Sequence, residues 1–237
     1  MKWQHEVNAD WLDARRQCLT ATDIIKLWPA AKKWRPEDEF PQTFIGTWFE
    51  KNSAQAVDPV SYDAAARGHC MEPFAIEEAN RVYEKNLYHW DDVLIVRGHV
   101  GFSPDAMDIP QPTLPTVVKW SDPALKKVSE IMEVKCFLPY HHGQCVTGGM
   151  EEKQIMQVAM AFKVLPQIEE ANVLYYCPGA PIDIYKYLLC YADVNPYIQR
   201  INKVVAIWNE MDEWLHSIEE QQALFTEQEI NRLTMGD

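Results

Sequence analysis

The sequence contains no apolar run that approaches the roughly 20 residues needed to cross a membrane. Its first residues, Met-Lys-Trp-Gln-His-Glu, lack the apolar stretch of a secretory signal. It also lacks any Gly/Ser run, low-complexity tract or internal repeat that would mark a linker. The 237 residues are therefore expected to form a single domain over 1–237, in the cytoplasm and without a membrane contact.

The six cysteines are scattered along the chain, and no two of them have Cys-x-x-Cys spacing. This absence argues against a zinc or iron–sulfur site. Several of the cysteines lie in apolar runs, where a free cysteine packs as a small hydrophobic residue. The pattern is typical of a protein from a reducing compartment.

Positive charge is scarce, since 22 lysines and arginines stand against 35 aspartates and glutamates, a net charge of −13. Non-specific affinity for DNA comes mostly from the neutralisation of phosphates. A DNA-binding protein of this composition must therefore concentrate its cations locally or enclose the DNA. The sequence offers one local cluster, at Lys32, Lys33 and Arg35.

The stretch Ile131–Cys136 is the strongest chemical signal that the sequence contains. On a strand, Glu133 and Lys135 point to one face, and Met132 and Val134 point to the other face, into a core. A carboxylate and an ammonium group at one strand surface can together hold a metal ion and a water molecule. The alternative is a structural salt bridge between the two side chains.

Asp105 follows another apolar run at a Ser-Pro turn upstream of that strand. An acidic residue at a strand end, followed by Glu-x-Lys on the next strand, is the layout of the PD-(D/E)xK nuclease core. The Glu-x-Lys motif arises by chance in many chains, so its weight depends on the segments around it.

Two helical pieces around a loop are predicted from Ala9 to Lys26. Thr20 or Thr22 can cap the second piece. Arg15 and Arg16 flank that helix start, so the segment is a candidate anion site, and in a DNA-cutting enzyme the anion would be a phosphate. The alternative is that the threonines only cap the helix and that the arginines are solvated.

A further helix is predicted over residues 58–84. Pro73 directly follows Glu72, so the helix is expected either to be kinked there or to restart with Pro73 in its first turn. Glu72 would then lie at a local break, where its carboxylate can be aimed at a cleft. The alternative is a solvated glutamate beside a helix-start proline.

The rest of the pattern predicts an α/β fold with a mixed central sheet flanked by helices. Residues 110–123, with four prolines, are expected to be irregular, and residues 139–149 to form a loop in which His141 and His142 are solvated. The alternative is that these adjacent histidines are ligands, although adjacent side chains usually diverge. The predicted elements are a hairpin of Val93–Val96 and Val100–Phe102, a central strand Val128–Cys136, a helix Glu151–Leu165, strands Ala171–Cys177 and Ile184–Cys190, and a long closing helix with apolar residues from Ile198 to Ile218.

Six short motifs occur in one order along the chain, and together they resemble the YqaJ-type viral recombinases, the lambda exonuclease family. The resemblance covers Trp11 to Phe162, and it implies a restriction-endonuclease-like PD-(D/E)xK core. The motifs are Arg15, Thr20-Ala21-Thr22, Arg67-Gly68…Glu72, Ser103-Pro104-Asp105, Glu133-Val134-Lys135 and Gln157-Val158.

The resemblance implies a role for each residue of the catalytic motifs. Asp105 and Glu133 would ligate a divalent metal together with the backbone carbonyl of Val134. The family uses Mg²⁺, with Mn²⁺ as a substitute, and two ions per site are expected, the second of them reached by Glu72. Lys135 would position the attacking water or help to deprotonate it, and a glutamine on the facing helix, Gln157, would orient that water or a metal-bound group.

The resemblance also implies where DNA would bind. Arg15 matches the family's arginine for the terminal 5′-phosphate, with Thr22 and Ser103 as hydroxyl donors to the same phosphate. The basic residue of the N-terminal loop has loose counterparts in the Lys32, Lys33 and Arg35 cluster. The family has an aromatic residue one turn before the glutamine, but this chain has Gln154, so stacking on DNA is not expected there.

The implied function is a 5′→3′ exonuclease on double-stranded DNA that releases mononucleotides and leaves a 3′ single-stranded tail for recombination. A homotrimeric ring around the duplex and a single-strand annealing partner are implied, as are a phage or prophage origin and a bacterial host. The alternatives are a structure- or site-specific endonuclease and a catalytically inert DNA-binding relative. If Arg15→Ala leaves activity on 5′-phosphorylated ends unchanged, the exonuclease hypothesis is wrong. If no Mg²⁺ or Mn²⁺ binding depends on Asp105, the inert alternative is favoured.

Overall fold

The computed structural model describes residues 9–53, 63–111 and 115–234, of which 63–66 and 220–234 are described as backbone only. The helices are α1 (Ala9–Arg16), α2 (Ala21–Ala31), α3 (Gln42–Asn52), α4 (Asp63–Tyr83), α5 (Pro139–Gly148), α6 (Glu152–Val164) and α7 (Tyr191–Thr234), with a short 3-10 helix at Pro123–Lys127. The strands are β1 (Tyr88–His89), β2 (Leu94–Arg97), β3 (Val100–Phe102), β4 (Ala106–Met107), β5 (Val117–Lys119), β6 (Glu130–Lys135), β7 (Glu170–Tyr176) and β8 (Ile184–Leu189).

The larger sheet has five strands in the order β1-β4-β6-β7-β8. Strands β6 and β7 are parallel, and the other three pairs are antiparallel, so the sheet is mixed as predicted. The predicted central strand is in the middle of this sheet as β6. Its position gives β6 neighbours on both edges, which holds the side chains at its carboxyl end in a fixed place.

The two faces of β6 pack against different helices. Met132 and Val134 are buried with Ala75 and Ala79 of α4. Ile131 belongs to the larger core, which includes the apolar face of α6 and much of α7. Glu133 lies on the α6 side, so the predicted alternation of the two faces is confirmed. Helices therefore cover both sides of the sheet, and burial of apolar surface on both faces stabilises it.

A smaller sheet has the order β3-β2-β5. The predicted hairpin forms its antiparallel pair, β2 and β3, and β5 lies parallel to β2. The prediction that residues 110–123 are irregular is therefore wrong for Val117–Lys119. Its prolines limit the regular structure to a strand of three residues at the edge of the sheet, where a missing donor is tolerated. Residues 112–114 lie outside the described part of the chain.

Residues 139–149 do not form the predicted loop, since most of them belong to α5. Pro139 occupies the first turn of this helix, where its missing N–H costs nothing, and Gly149 ends it with a φ of 93°. The glycines of the segment are typical of a loop, but the helix accommodates one of them, Gly143, in its interior. His142 is buried, with Nε2 2.6 Å from the carbonyl oxygen of Ile182, so the expectation of two solvated histidines is wrong for this residue.

Two other helices differ from the sequence pattern. Helix α4 continues through Pro73 without a restart, and the predicted beginning of this helix, residues 58–62, lies outside the described residues. Helix α3 was not predicted at all. It buries Phe44 and Trp48, and the indole Nε1 of Trp48 donates to Asp212 of α7 over 2.5 Å. No helix within the described ranges is long and apolar enough to pass through a lipid bilayer.

Candidate active site

A cavity of about 950 Å³ opens at the carboxyl end of β6, between α4, α6 and the α1–α2 region. Its lining contains most of the residues that the sequence singled out. The predicted residues that line it are Arg15, Thr22, Glu72, Ser103, Asp105, Glu133, Val134, Lys135 and Gln157. We call Glu72, Asp105, Glu133 and Lys135 the carboxylate wall, and Arg15, Thr22 and Ser103 the arginine wall.

Glu133 is the most enclosed acid of the cavity, with 3% of its surface exposed. Its Oε1 accepts a hydrogen bond from Lys135 Nζ, two residues further along β6. The same oxygen accepts a hydrogen bond from Gln157 Nε2 of α6 over 2.7 Å. A strand neighbour and a facing helix therefore fix one carboxylate oxygen, and both donors are residues that the sequence predicted.

Asp105 reaches the same place from the turn between β3 and β4. Its Oδ2 accepts a hydrogen bond from the backbone N–H of Val134 over 2.6 Å, which ties this turn to β6. Burial raises the pKa of Asp105 well above its usual value, and the negative charges of Glu133 and Glu72 raise it further. The carboxylate wall therefore holds more negative charge than Lys135 offsets.

Glu72 enters from α4, between two histidines that sequence reasoning did not identify. Its two carboxylate oxygens lie 3.4 Å from Nδ1 of His69 and 3.7 Å from Nε2 of His89. Burial alone would raise the pKa of Glu72, but the interactions with the two histidines lower it to about 2. Glu72 therefore stays ionised near neutral pH. The spacing of His69, three residues before Glu72 on one helix, could have revealed the first partner.

Lys135 is the cation of the carboxylate wall. Burial by itself would lower the pKa of its ammonium group, but Glu133 and Asp105 outweigh this effect and raise the pKa overall. Lys135 therefore carries its charge at neutral pH, which makes it a hydrogen-bond donor and a source of positive potential.

The donor set of the carboxylate wall fits a divalent metal ion. Glu72, Asp105 and Glu133 present carboxylate oxygens to one cavity, and hard cations such as Mg²⁺ prefer oxygen ligands. Burial and the charges of Glu133 and Glu72 raise the pKa of Asp105, and a bound cation would favour its ionised form. Val134 lines the cavity beside them.

The arginine wall is held together by Trp11. The guanidinium carbon of Arg15 lies 4.4 Å from the centre of the Trp11 ring, and the indole Nε1 of Trp11 donates to Ser103 Oγ over 3.0 Å. Burial lowers the pKa of Arg15, and the nearby Cys18, Asp23 and, least, Glu133 counteract part of this effect. An arginine remains charged despite such a shift, so a cation faces the carboxylate wall across the cavity.

Of the two candidate caps, Thr20 caps α2. Asp23 Oδ2 accepts hydrogen bonds from the Thr20 backbone N–H over 2.8 Å and from its hydroxyl over 2.9 Å. Lys51 Nζ, at 2.9 Å, neutralises Asp23. Thr22 is not needed as a cap, and its exposed side chain lines the cavity.

The loop between α1 and α2 is pressed against β3, which fixes the distance between the two walls. Leu19 exchanges backbone hydrogen bonds with His99 and Gly101, of 2.7 and 3.0 Å. A Cβ atom at Gly101 would lie only 2.4 Å from Cys18 Sγ, so the two segments can approach this closely only with glycine at this position.

The predicted basic cluster is not part of the cavity lining. Lys32, Lys33 and Arg35 are exposed just beyond α2, and Arg35 lies 4.0 Å from Glu37. A role of these residues in DNA binding stays a prediction. Arg67 lines the cavity instead, and its Nη1 donates to the Cys136 carbonyl over 2.7 Å. Gln154 is completely buried, which agrees with the expectation that it does not stack on DNA.

No family model matches the sequence, and no curated protein matches it either. Solved structures do match. The chain has the fold of an alkaline exonuclease. The crystal structure of LHK-Exo from Laribacter hongkongensis superposes with a TM-score of 0.64 at 15% identity, over 92% of this chain and 100% of LHK-Exo. LHK-Exo in complex with dAMP gives the same TM-score and coverage at 16% identity.

The match with LHK-Exo confirms the predicted fold class, an α/β core of the restriction-endonuclease type with a mixed sheet between helices. It also agrees with the family resemblance that the motifs indicated. At this level of identity the likeness establishes the fold, so the chemistry has to be argued from the residues of the cavity.

Proposed function

We propose that this protein is a metal-dependent nuclease that degrades the 5′-ended strand of double-stranded DNA from its end. The supporting observation is that one cavity contains both the carboxylate wall and the arginine wall. The first has the residue types that phosphodiester hydrolysis needs, and the second has a cation and hydroxyl groups suited to a terminal phosphate. The fold shared with LHK-Exo, an alkaline exonuclease by its description, supports the same reaction class.

In this proposal Asp105, Glu133 and Glu72 hold Mg²⁺, or Mn²⁺ in its place, with the Val134 carbonyl as a further ligand. Such ions activate a water molecule and neutralise charge on the leaving oxygen, and two per site serve both ends of the displacement. Gln157 fixes the Glu133 carboxylate through its 2.7 Å hydrogen bond, so that an oxygen remains aimed into the cavity.

Lys135 acts as a charged donor. Since Glu133 and Asp105 raise the pKa of its ammonium group, the proton stays on Lys135 at neutral pH. We therefore assign Lys135 to orienting the attacking water and to stabilising negative charge on the phosphate. Of the two roles that the family resemblance implied, positioning is the one that the electrostatics favour.

The arginine wall gives the enzyme its preference for a 5′-phosphorylated DNA end. Arg15 would pair with a terminal 5′-phosphate, and the hydroxyls of Thr22 and Ser103 would donate to the same group. The proposal extends to release of 5′-mononucleotides, a 3′ tail for single-strand annealing with a partner protein, and a homotrimeric ring. Enclosure by a ring would explain how a chain of net charge −13 keeps hold of DNA, and contact of Lys32, Lys33 and Arg35 with the duplex backbone is part of the proposal.

The test uses linear duplex DNA with one labelled 5′-phosphate, closed circular DNA and Mg²⁺, with the Lys135→Ala variant beside the wild type. We expect the wild type to release labelled mononucleotide from the linear DNA and to leave the circle intact, and the variant to release none. Internal cuts in the circle would replace the proposal with an endonuclease. Bound but uncut DNA in both proteins would indicate an inert DNA-binding relative.

A further inference from the structure

A second group of metal-binding side chains lies on α5 and just after it. His141, Cys145 and Glu151 each offer one ligand atom, and these atoms lie within 4.8 Å of one another. His141 and Cys145 are four residues apart, so they share one face of α5. Glu151 directly precedes α6, and its Oε1 lies 2.9 Å from His141 Nε2.

The donors of this group differ from those of the carboxylate wall. An imidazole nitrogen, a thiol sulfur and a carboxylate oxygen form a mixed set that suits Zn²⁺, whereas Mg²⁺ selects oxygen ligands. Zinc with three protein ligands is typically tetrahedral, and water takes the fourth position. Ligand bonds of about 2.0 to 2.3 Å place the ligand atoms of such a site about 3.3 to 3.8 Å apart. A separation at the 4.8 Å limit would have to shorten by about 1 Å, and the 2.9 Å separation of His141 and Glu151 would have to widen slightly.

The side chains have room for these movements. His141 and Glu151 are 38% and 36% exposed, so each can rotate without disturbing the core. Lys153 Nζ contacts the other oxygen of Glu151, Oε2, at 2.8 Å. The oxygen nearest His141 therefore remains available to a metal ion.

A completely buried amide donor without a partner in the described part of the chain lies beside Cys145. Gln154 Oε1 accepts hydrogen bonds from the Glu151 backbone N–H over 2.8 Å and from the Tyr175 hydroxyl. The amide is thereby held in one orientation, and its Nε2 makes no hydrogen bond of normal geometry among the described residues. The side chain of Gln154 neighbours the Cys145 thiol. A thiol is a weak acceptor, but a metal-bound thiolate would accept this donor.

We propose that His141, Cys145 and Glu151 form a zinc site, separate from the carboxylate wall. On binding, the thiol proton of Cys145 passes to solvent and the sulfur becomes a thiolate that accepts from Gln154. Because His141 also lines the cavity, zinc would hold this side chain and the α5–α6 connection in one place beside the carboxylate wall. The search for Cys-x-x-Cys spacing could not reveal this site. Its ligands are His141 and Cys145, four residues apart on α5, and Glu151, which directly precedes α6.

The test measures binding of Co²⁺, as a coloured probe, and of Zn²⁺ to the chelator-treated full chain with excess Mg²⁺. Cobalt bound to a thiolate has a charge-transfer band in the near ultraviolet, and cobalt on carboxylates alone lacks it. We expect the band at one equivalent of Co²⁺, its removal by one equivalent of Zn²⁺, and its loss in Cys145→Ser. The matched control is Cys190→Ser, which changes an exposed cysteine and is expected to keep the band.

A second variant covers the case in which Cys145→Ser does not fold. His141→Ala changes a partly exposed side chain, and we expect it to weaken Zn²⁺ binding at least about tenfold, the lower end of what outer-shell changes cost. The proposal is overturned if the wild type shows no charge-transfer band, if the band persists in Cys145→Ser, or if His141→Ala binds Zn²⁺ as tightly as the wild type. Because the readout is a metal–thiolate spectrum, it is independent of nuclease activity.

Discussion

The two walls of the cavity are built in different ways. The carboxylate wall stands mostly on regular structure, with Glu133 and Lys135 on the middle strand of the larger sheet and Glu72 on α4, and only Asp105 comes from a turn. The residues of the arginine wall lie at the ends of elements, with Arg15 near the end of α1, Thr22 in the first turn of α2 and Ser103 directly after β3. The loop that joins α1 to α2 is held against β3 at Gly101. We infer that the carboxylate wall hydrolyses the phosphodiester bond and that the arginine wall recognises the 5′-phosphate. Substitutions in the first should therefore lower hydrolysis of all ends, and substitutions in the second should affect phosphorylated ends most.

The largest effect is expected from Asp105→Asn. Loss of one metal-binding carboxylate should lower Mg²⁺-dependent DNA hydrolysis by about 10³-fold or more, because the activated water and the charge on the leaving oxygen both depend on the metal. The melting temperature should stay equal or rise, since asparagine removes the repulsion between Asp105 and Glu133 and can still accept from Val134 N–H. The measurements are turnover and thermal unfolding, with Asp91→Asn as the control on an exposed aspartate. A variant that stays active would remove Asp105 from the metal site.

Arg15→Ala should distinguish the role of the arginine wall from that of the carboxylate wall. We expect cleavage of 5′-phosphorylated ends to fall about 10- to 150-fold, since one charge-assisted pair is worth roughly 1.5 to 3 kcal/mol, while ends with a 5′-hydroxyl change little. The measurement compares initial rates on the two kinds of end. The neighbouring Arg16→Ala is the matched control, because Arg16 pairs with Asp13 and does not line the cavity. Equal losses on both ends would contradict a phosphate-specific wall.

Gly101→Ala should weaken the contact that positions the arginine wall. The new methyl group would meet Cys18 Sγ at 2.4 Å and Leu94 Cδ1 at 3.0 Å, so we expect a loss of about 1 to 3 kcal/mol of unfolding free energy. The double variant Gly101→Ala/Cys18→Ala removes the closer clash and should recover part of the loss. Denaturant titration of the four proteins measures the coupling, and a coupling near zero would show that the contact is not tight.

The smallest expected effect is on His69, at the back of the carboxylate wall. The interaction with Glu72 raises the pKa of His69 above its usual 6.5. A raised folded-state pKa stabilises the protein below about pH 6.5, and this contribution disappears as the pH rises through the folded-state value. NMR titration without divalent metal should show the raised value in the wild type and a lower one in Glu72→Gln. Exposed Glu77→Gln on the same helix is the control. Identical His69 titrations in all three proteins would exclude the pairing.

The sequence predicted the parts of the site that depend on strand alternation and on motif order. Alternation placed Glu133 and Lys135 opposite Met132 and Val134, and the pairing of β6 keeps that arrangement. The order of motifs predicted that Arg15, Asp105 and Gln157 belong with them. The structure brings these residues to one cavity, as predicted. Glu133 and Lys135 are near neighbours on one strand, and the others belong to the ordered set of motifs.

The parts that sequence reasoning missed depend on contacts between distant segments. His89 reaches Glu72 from β1, a strand of two residues without a periodic signal. Strand β5 pairs with one edge of β2, and its three residues lie in a proline-rich segment. Helix α5 was missed because its glycines are typical of loops, although Pro139 begins it and Gly149 ends it.

The most direct test of the central claim is a crystal structure of the Lys135→Ala variant with Mn²⁺ and a short 5′-phosphorylated duplex. We predict anomalous density for Mn²⁺ between Asp105 and Glu133, and the terminal phosphate against Arg15, Thr22 and Ser103 in the same cavity. Mn²⁺ elsewhere, or a phosphate bound at Lys32, Lys33 and Arg35 with the cavity free of DNA, would contradict the assignment of the two walls to one reaction.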